Sequence, residues 1–97
     1  MQTMSKPYTE EVLEKHGTGQ EYIIRTFSQD VDDDELVWHR DKSSRHIHIL
    51  RGNGWQLQMD DKLPEELKIG SDYYIHKMTY HRIIKGENDL VVRIENI

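Results

Sequence analysis

Short runs of alternating hydrophobic and polar residues recur along most of this chain of 97 residues. Alternation with a period of two, rich in β-branched and aromatic side chains, is typical of strands with one buried face. The pattern is clearest at 46–50 and 55–59, and further strands are predicted at 22–27, 36–39, 73–75, 80–85 and 90–94. Many short strands separated by turns predict an all-β sandwich or barrel.

The sequence also predicts how two of these strands are connected and which residues of the second one face the core. Gly52-Asn53-Gly54 lies between strands 46–50 and 55–59 and is a hairpin signal. Along the second strand, Trp55 and Leu57 share one face with Met59, so we expect them in the core.

The segment 7–16 carries the signals of a short helix instead. Thr9 suits the N-cap, Glu10 suits the first turn, Lys15 suits the last turn and Gly17 suits the position that follows. A helix this short is marginal in isolation, so we expect it to dock on the barrel. The chain is therefore predicted to be one domain, 1–97, with an N-terminal arm or helix at 1–19 and a barrel at 20–97.

Composition and charge narrow the classes of function. The formal net charge of −5 disfavours nucleic-acid binding, which requires a basic face. There are no cysteines, which excludes disulfides and thiolate zinc sites. No apolar run has the length of a membrane span, and the first residues lack the apolar core of a signal peptide. We therefore expect a soluble, cytoplasmic protein with no membrane partner.

Candidate chemistry centres on His39, Asp41 and His81. His39 and Asp41 are two apart, so on a strand their side chains would leave the same face. His81 could reach them from a distant strand folded against the first. Two imidazoles and one carboxylate form the facial triad of non-haem Fe(II) sites, which leaves coordination positions open.

The spacing of these residues resembles the two motifs of the cupins. In the first motif, His39 and Asp41 stand on the paired ligand positions and Gly52 closes the motif at the expected distance. Arg45 replaces the usual glutamate ligand, and an arginine has no lone pair to offer a metal.

In the second motif, Gly70 and His81 stand on the expected positions. His76 and Met78 replace the usual proline and glycine, and Lys85 replaces a commonly seen asparagine. The resemblance covers roughly residues 20–95 and rests on spacing more than on identity.

The resemblance implies a cupin-type double-stranded β-helix, or jelly-roll barrel, preceded here by the short N-terminal helix, in an assembly expected to be a homodimer. It also implies a divalent metal on His39, Asp41 and His81, with Fe(II) as the first expectation and Mn, Ni or Zn as alternatives. A small polar or anionic metabolite is the implied ligand, and Arg45, Lys85 and Tyr73 are the residues expected to contact it.

Two alternatives remain open for the site residues. Asp41 could form an inward salt bridge with Arg45 instead of binding a metal, or Arg45 could hold the second oxygen of a metal-bound Asp41.

His46 and His48 have the spacing of a metal-binding pair. If Arg45 and Ile47 point inward, however, both histidines lie on the outward face of the strand.

Three functions are compatible with this pattern. The first is a metal-dependent cupin enzyme, similar to an oxygenase. The second is a small-molecule-binding or regulatory cupin without turnover. The third is a metal-free sugar-type isomerase in which a histidine, oriented by a carboxylate such as that of Asp41, acts as general base.

Overall fold

Two antiparallel sheets make up the fold in the computed structural model, which describes residues 6–97. One sheet has five strands in the order β1-β2-β8-β3-β6, and the other has three in the order β5-β4-β7. The all-β prediction is thereby confirmed. The strands are β1 (Thr9–Glu14), β2 (Glu21–Phe27), β3 (Arg45–Asn53), β4 (Gln56–Met59), β5 (Glu65–Glu66), β6 (Asp72–Ile75), β7 (His81–Ile84) and β8 (Glu87–Asn96), and a single 3₁₀ turn covers Asp33–Glu35.

The core lies between the two sheets and follows from the alternation in the sequence. On β8, the central strand of the larger sheet, Leu90, Val92 and Ile94 are buried while the residues between them are more exposed. On β4, Leu57 is buried and Met59 packs against the core, as the shared parity with Trp55 predicts. The buried hydrophobic cluster comprises Phe27, Val31, Ile49, Trp55, Leu57, Leu67, Ile75, Leu90, Val92 and Ile94.

Strand β3 carries the chain from the larger sheet towards the smaller one. It pairs with β8 from Arg45 to Asn53, with register shifts between Ile49 and Arg51 and again between Arg51 and Asn53. Such bulges bend a strand and increase its twist. The chain then enters β4, where Gly86 lies so close to the backbone of 53–55 that a Cβ there would overlap it.

The predicted N-terminal helix is wrong, because residues 9–14 form strand β1. All six residues of β1 pair with β2, from Thr9 opposite Thr26 to Glu14 opposite Glu21. A cross-strand ion pair joins Arg25 Nη2 to Glu10 Oε2 at 2.9 Å. Pairing with β2 satisfies the backbone groups on one side of this segment, and this tertiary context outweighs the weak local preference for helix.

Two finer expectations also fail. Residues 36–39 do not form a strand; only His39 makes an isolated bridge, which pairs it with His81. The Gly52-Asn53-Gly54 segment does not close a hairpin, because β3 pairs with β8 and β6 while β4 pairs with β5 and β7. The segment instead connects the two sheets. Within residues 6–97, no helix has the length and apolar character needed to cross a membrane.

Candidate metal centre

The fold brings together the three residues that the spacing singles out. One ligand atom from each of His39, Asp41 and His81 lies within 4.8 Å of the others. His39 and Asp41 come from the connection between β2 and β3, whereas His81 is the first residue of β7. The grouping therefore depends on contact between two segments about forty residues apart.

Backbone hydrogen bonds hold these two segments in register. The His39 N–H donates to the His81 carbonyl at 3.0 Å, and the His81 N–H donates to the His39 carbonyl at 2.9 Å. A third bond runs from the Met78 N–H to the Asp41 carbonyl at 2.7 Å. The main chain thus holds the three residues next to one another.

Each histidine is oriented by a backbone carbonyl. Nδ1 of His39 lies 3.0 Å from the Val37 carbonyl oxygen, and Nδ1 of His81 lies 2.8 Å from the Thr79 carbonyl oxygen. Because a carbonyl can only accept, these contacts place the proton of each neutral ring on Nδ1. Nε2 is then left with its lone pair, and this is the tautomer that a metal ligand requires.

The carboxylate of Asp41 lies between His81 and Arg45. Its Oδ2 is 3.3 Å from Nε2 of His81, and its Oδ1 is 3.6 Å from Nη1 of Arg45. Among the residues at 6–97, Oδ2 is buried and finds no hydrogen-bond donor. Two lone pairs therefore face each other across the His81–Asp41 contact, an arrangement that a cation between them would stabilise.

Burial favours the neutral form of the His81 imidazole. His81 is only 3% exposed, and this burial lowers its pKa below the ordinary value for histidine. The nearby His39 and Arg45 lower the pKa further, while the hydrogen bond to Thr79 and the charge of Asp41 act in the opposite direction. A neutral imidazole is ready to bind a metal without first losing a proton.

A cavity of about 280 Å³ between the two sheets adjoins the three residues. Arg45 reaches this cavity from β3, and its Nε is buried without a hydrogen-bond partner among the described residues. Most of the remaining wall is aliphatic. The apolar lining consists of Leu36, Val37, Ile47, Leu57, Leu67, Ile75, Ile83, Val92 and Ile94, together with Phe27 and Pro7.

The other predicted contact residues use their polar groups elsewhere. Lys85 Nζ donates to the Val31 carbonyl at 2.9 Å. The Tyr73 hydroxyl donates to the Glu66 carbonyl and accepts from the Lys68 N–H, both at 2.9 Å. Neither Lys85 nor Tyr73 lines the cavity next to His81.

His46 and His48 point away from the cavity, on the outward face that their parity predicts. Nε2 of His46 and Nδ1 of His48 each lie 2.8 Å from Oδ1 of Asp72 on the neighbouring strand β6. The hydrogen bond from His48 lowers the pKa of the Asp72 carboxyl, and the bond from His46 lowers it further.

This cluster predicts a pH effect on stability. Because the folded-state pKa of Asp72 is lowered, its contribution to folding is present above the ordinary carboxyl pKa and is lost as the pH falls below it. We expect the thermal midpoint to fall less steeply from about pH 5 to about pH 3 in Asp72→Asn than in the wild type. Calorimetry of both proteins measures the change of the thermal midpoint with pH, and Asp60→Asn, at an exposed position, is the control. Identical slopes in the wild type and Asp72→Asn would contradict the contribution of Asp72 to stability.

Arg25 is a cavity residue that the sequence analysis missed. It lies on the inward face of β2, where its Nε and Nη2 both donate to Glu10 Oε2 at 3.1 and 2.9 Å. Its guanidinium carbon lies 3.8 Å from the centre of the Tyr8 ring. The signal was available in the sequence, because Arg25 has the same parity as the inward-facing Ile23 and Phe27.

Comparisons with known proteins give matches to solved structures only. No protein-family model matches the sequence, and no curated protein matches it. Solved structures do match. The protein NMB1881 from Neisseria meningitidis is 15% identical with a TM-score of 0.63, and the match covers 97% of this chain and 88% of that one.

Two enzymes match over nearly the whole chain. The DMSP lyase DddQ from Ruegeria pomeroyi is 12% identical with a TM-score of 0.74, covering 93% of this chain and 46% of the lyase. The hydroxypropylphosphonic acid epoxidase from S. wedmorenis is 16% identical with a TM-score of 0.70, covering 94% of this chain and 51% of the epoxidase. The chain therefore spans about half the length of either enzyme.

These likenesses show the fold. The two packed antiparallel sheets and their match to cupin-type structures give this chain a cupin-type fold, as the spacing of its two motifs predicts. Identities of 12–16% carry no substrate or reaction from those enzymes to this chain.

Proposed function

We propose that this cupin-type chain is a metal-dependent protein that binds a divalent ion through His39, Asp41 and His81 and a small molecule in the adjoining cavity. Fe(II) is the first candidate, with Mn, Ni or Zn as alternatives. The observation that carries the proposal is the buried Oδ2 of Asp41, which faces the Nε2 lone pair of His81 at 3.3 Å.

The donor set fits a divalent transition metal. Two neutral imidazoles and one carboxylate are the ligands of the facial triad, and the ligand atoms lie close enough to share one ion. The carbonyls of Val37 and Thr79 supply the outer hydrogen bonds that fix the orientation of metal-binding histidines. Asp41 supplies one negative charge, so the loaded site would keep a positive charge that favours an anionic ligand.

The chain's own residues account for the rest of the proposed activity. A bound divalent ion with open coordination positions supplies Lewis-acid or redox chemistry. The aliphatic walls favour apolar groups over water, and Arg45 offers donors to an anionic group beside Asp41. Structures of a protein with a similar fold, named HppE (TM-score 0.68), contain Fe(II) with an alternative substrate or Co(II) with substrate, which supports a similar use of this fold. An enzyme acting on a small anionic metabolite is therefore our leading proposal.

Metal content tests this proposal directly. Untagged protein is treated with chelator, reloaded anaerobically with Fe(II), Mn, Ni or Zn, and measured by elemental analysis after removal of free ion. We expect about one equivalent of at least one of these metals in the wild type and a clear loss in Asp41→Asn. Asp60→Asn, at an exposed position outside the site, is the control. An absence of bound metal under every loading condition would refute the proposal.

A metal-free isomerase is the second candidate, because a histidine in contact with a carboxylate can act as a general base. That mechanism requires the Nε2 of His81 to carry a proton towards Asp41, whereas the contact with Thr79 favours a proton on Nδ1. Nitrogen NMR of the chelated protein distinguishes the two tautomers. A proton on Nε2 would favour the isomerase, and a proton on Nδ1 favours the metal site or a binding protein without turnover.

We also propose that the chain forms a homodimer. Strands β1 and β6 are the two edges of the larger sheet, and an exposed strand edge is a ready surface for pairing. Light scattering coupled to size-exclusion chromatography measures the mass of the assembly.

A further inference from the structure

The cavity beside the candidate metal centre is lined mostly by aliphatic side chains. Side chains from both sheets line it, including Leu57 and Ile83 from the smaller sheet and Ile47, Val92 and Ile94 from the larger one. A ligand that fills such a space gains free energy from the apolar area it removes from water. A fully polar metabolite would instead lose hydrogen bonds to water along most of its length.

The two arginines that line the cavity differ in how far their hydrogen-bond donors are already used. Both Nε and Nη2 of Arg25 are occupied by Glu10, and its guanidinium stacks on the Tyr8 ring. Arg45 has only a 3.6 Å contact with Asp41, and no described residue accepts from its buried Nε. Among the described residues that line the cavity, Arg45 is therefore the guanidinium without a carboxylate at hydrogen-bond distance.

Arg45, Asp41 and His81 form one polar cluster in this lining, which also contains Tyr8, Arg25 and Glu35. Arg45 is near Asp41, and Asp41 is near His81, so one anionic head group could reach both the guanidinium and the proposed metal position. If a metal engages the carboxylate of Asp41, the attraction between Asp41 and Arg45 weakens and the guanidinium is released for a ligand.

The volume limits the size of the ligand. A cavity of about 280 Å³ corresponds to about nine water-sized groups, since a water occupies about 30 Å³ of the liquid. A body of about six to ten carbon atoms fits this space.

From these observations we infer that the ligand is a lipophilic acid, with an anionic head group on Arg45 and an aliphatic or aromatic body of about six to ten carbons against the cavity wall. The inference deepens the proposed function by naming the ligand class of the same site, but the wall and Arg45 recognise the acid without the metal. The two claims can therefore fail separately.

Calorimetric titration with butanoate, hexanoate, octanoate and decanoate tests the inference, on chelated protein and on protein loaded with metal. We expect affinity to rise about fourfold for each added methylene, until the cavity is full. Octanoate should bind at least about tenfold more tightly than 1-octanol, because a hydrogen bond to a charged group is the stronger one. Octylphosphonate, titrated in parallel, shows whether a carboxylate or a phosphonate is the preferred head group.

Two variants locate the contacts. Arg45→Gln should remove the preference for octanoate over 1-octanol, whereas Arg40→Gln, at an exposed arginine outside the cavity, should keep it. Ile83→Phe should shift the best chain to a shorter acid. Should either variant fail to fold, the chain-length series in the wild type still decides the inference.

The outcomes separate this inference from the proposed function. An affinity that does not depend on chain length, or equal binding of octanoate and 1-octanol, would overturn the lipophilic acid even if the protein binds metal. If affinity rises with chain length but the protein retains no metal under any loading condition, the lipophilic acid is supported and the metal centre is refuted.

Discussion

Replacing His81 by alanine is expected to reduce the bound metal from about one equivalent to a level that elemental analysis cannot distinguish from background. The proposed site has three protein ligands, and His81 is the most buried of them. Its loss leaves one imidazole and one carboxylate, which cannot close a facial triad. Since loss of an outer partner alone costs about 10–100-fold in affinity, loss of a ligand should cost more.

Two further histidine variants make this result specific. His39 is exposed, so His39→Ala should remove a ligand with little effect on the fold and should also abolish retention of metal. His46→Ala removes a histidine that contacts Asp72 on the outward face and should bind metal as the wild type does. Full occupancy in His81→Ala, or equal loss in all three variants, would contradict the assignment of the ligands.

Replacing Trp55 by alanine should lower the free energy of unfolding by about 3–5 kcal/mol. Trp55 is fully buried, and its ring packs 6.1 Å from that of Phe27 between centroids. Its Nε1–H donates to the carbonyls of Glu87 and Asn88 at 3.1 and 3.0 Å. In a domain of this size, such a loss is a large part of the total stability, and urea denaturation measures it.

The second tryptophan of the chain is the matched control. Trp38 is 42% exposed, and the guanidinium carbon of Arg82 lies 4.9 Å from the centre of its ring. We expect Trp38→Ala to cost about 0.5–1 kcal/mol, the range of an exposed cation–π contact. If Trp55→Ala does not fold, Trp55→Phe keeps most of the packing and still loses the two carbonyl contacts. Equal effects at positions 38 and 55 would contradict the described core.

Alternation was a reliable guide to the fold wherever one face of a strand is buried. It located β2, β4 and β8, and it placed Trp55 and Leu57 in the core. It failed at β1, because that edge strand buries little and its sequence fits a helix equally well. Thr9 and Glu10 suit a helix start locally, and only the pairing with β2 decides the outcome.

The sequence predicted which residues of the candidate site lie close together, but it could not predict their hydrogen bonds. Spacing alone grouped His39 and Asp41 with His81, and the isolated bridge between His39 and His81 brings these positions together. It could not show which ring nitrogen carries the proton, since that depends on the Val37 and Thr79 carbonyls of the folded chain. Nor could spacing show that the Nε of Arg45 lacks a partner among the described residues, because that depends on packing between strands.

The reciprocal hydrogen bonds between His39 and His81 have a consequence for the kinetics of folding. They close a loop of about forty residues, so the three ligand atoms meet only after a long-range contact has formed. If this contact forms after the transition state for folding, an ion bound at the proposed site would slow unfolding more than it accelerates folding. Metal supply would then set the lifetime of the folded chain rather than the speed at which it forms.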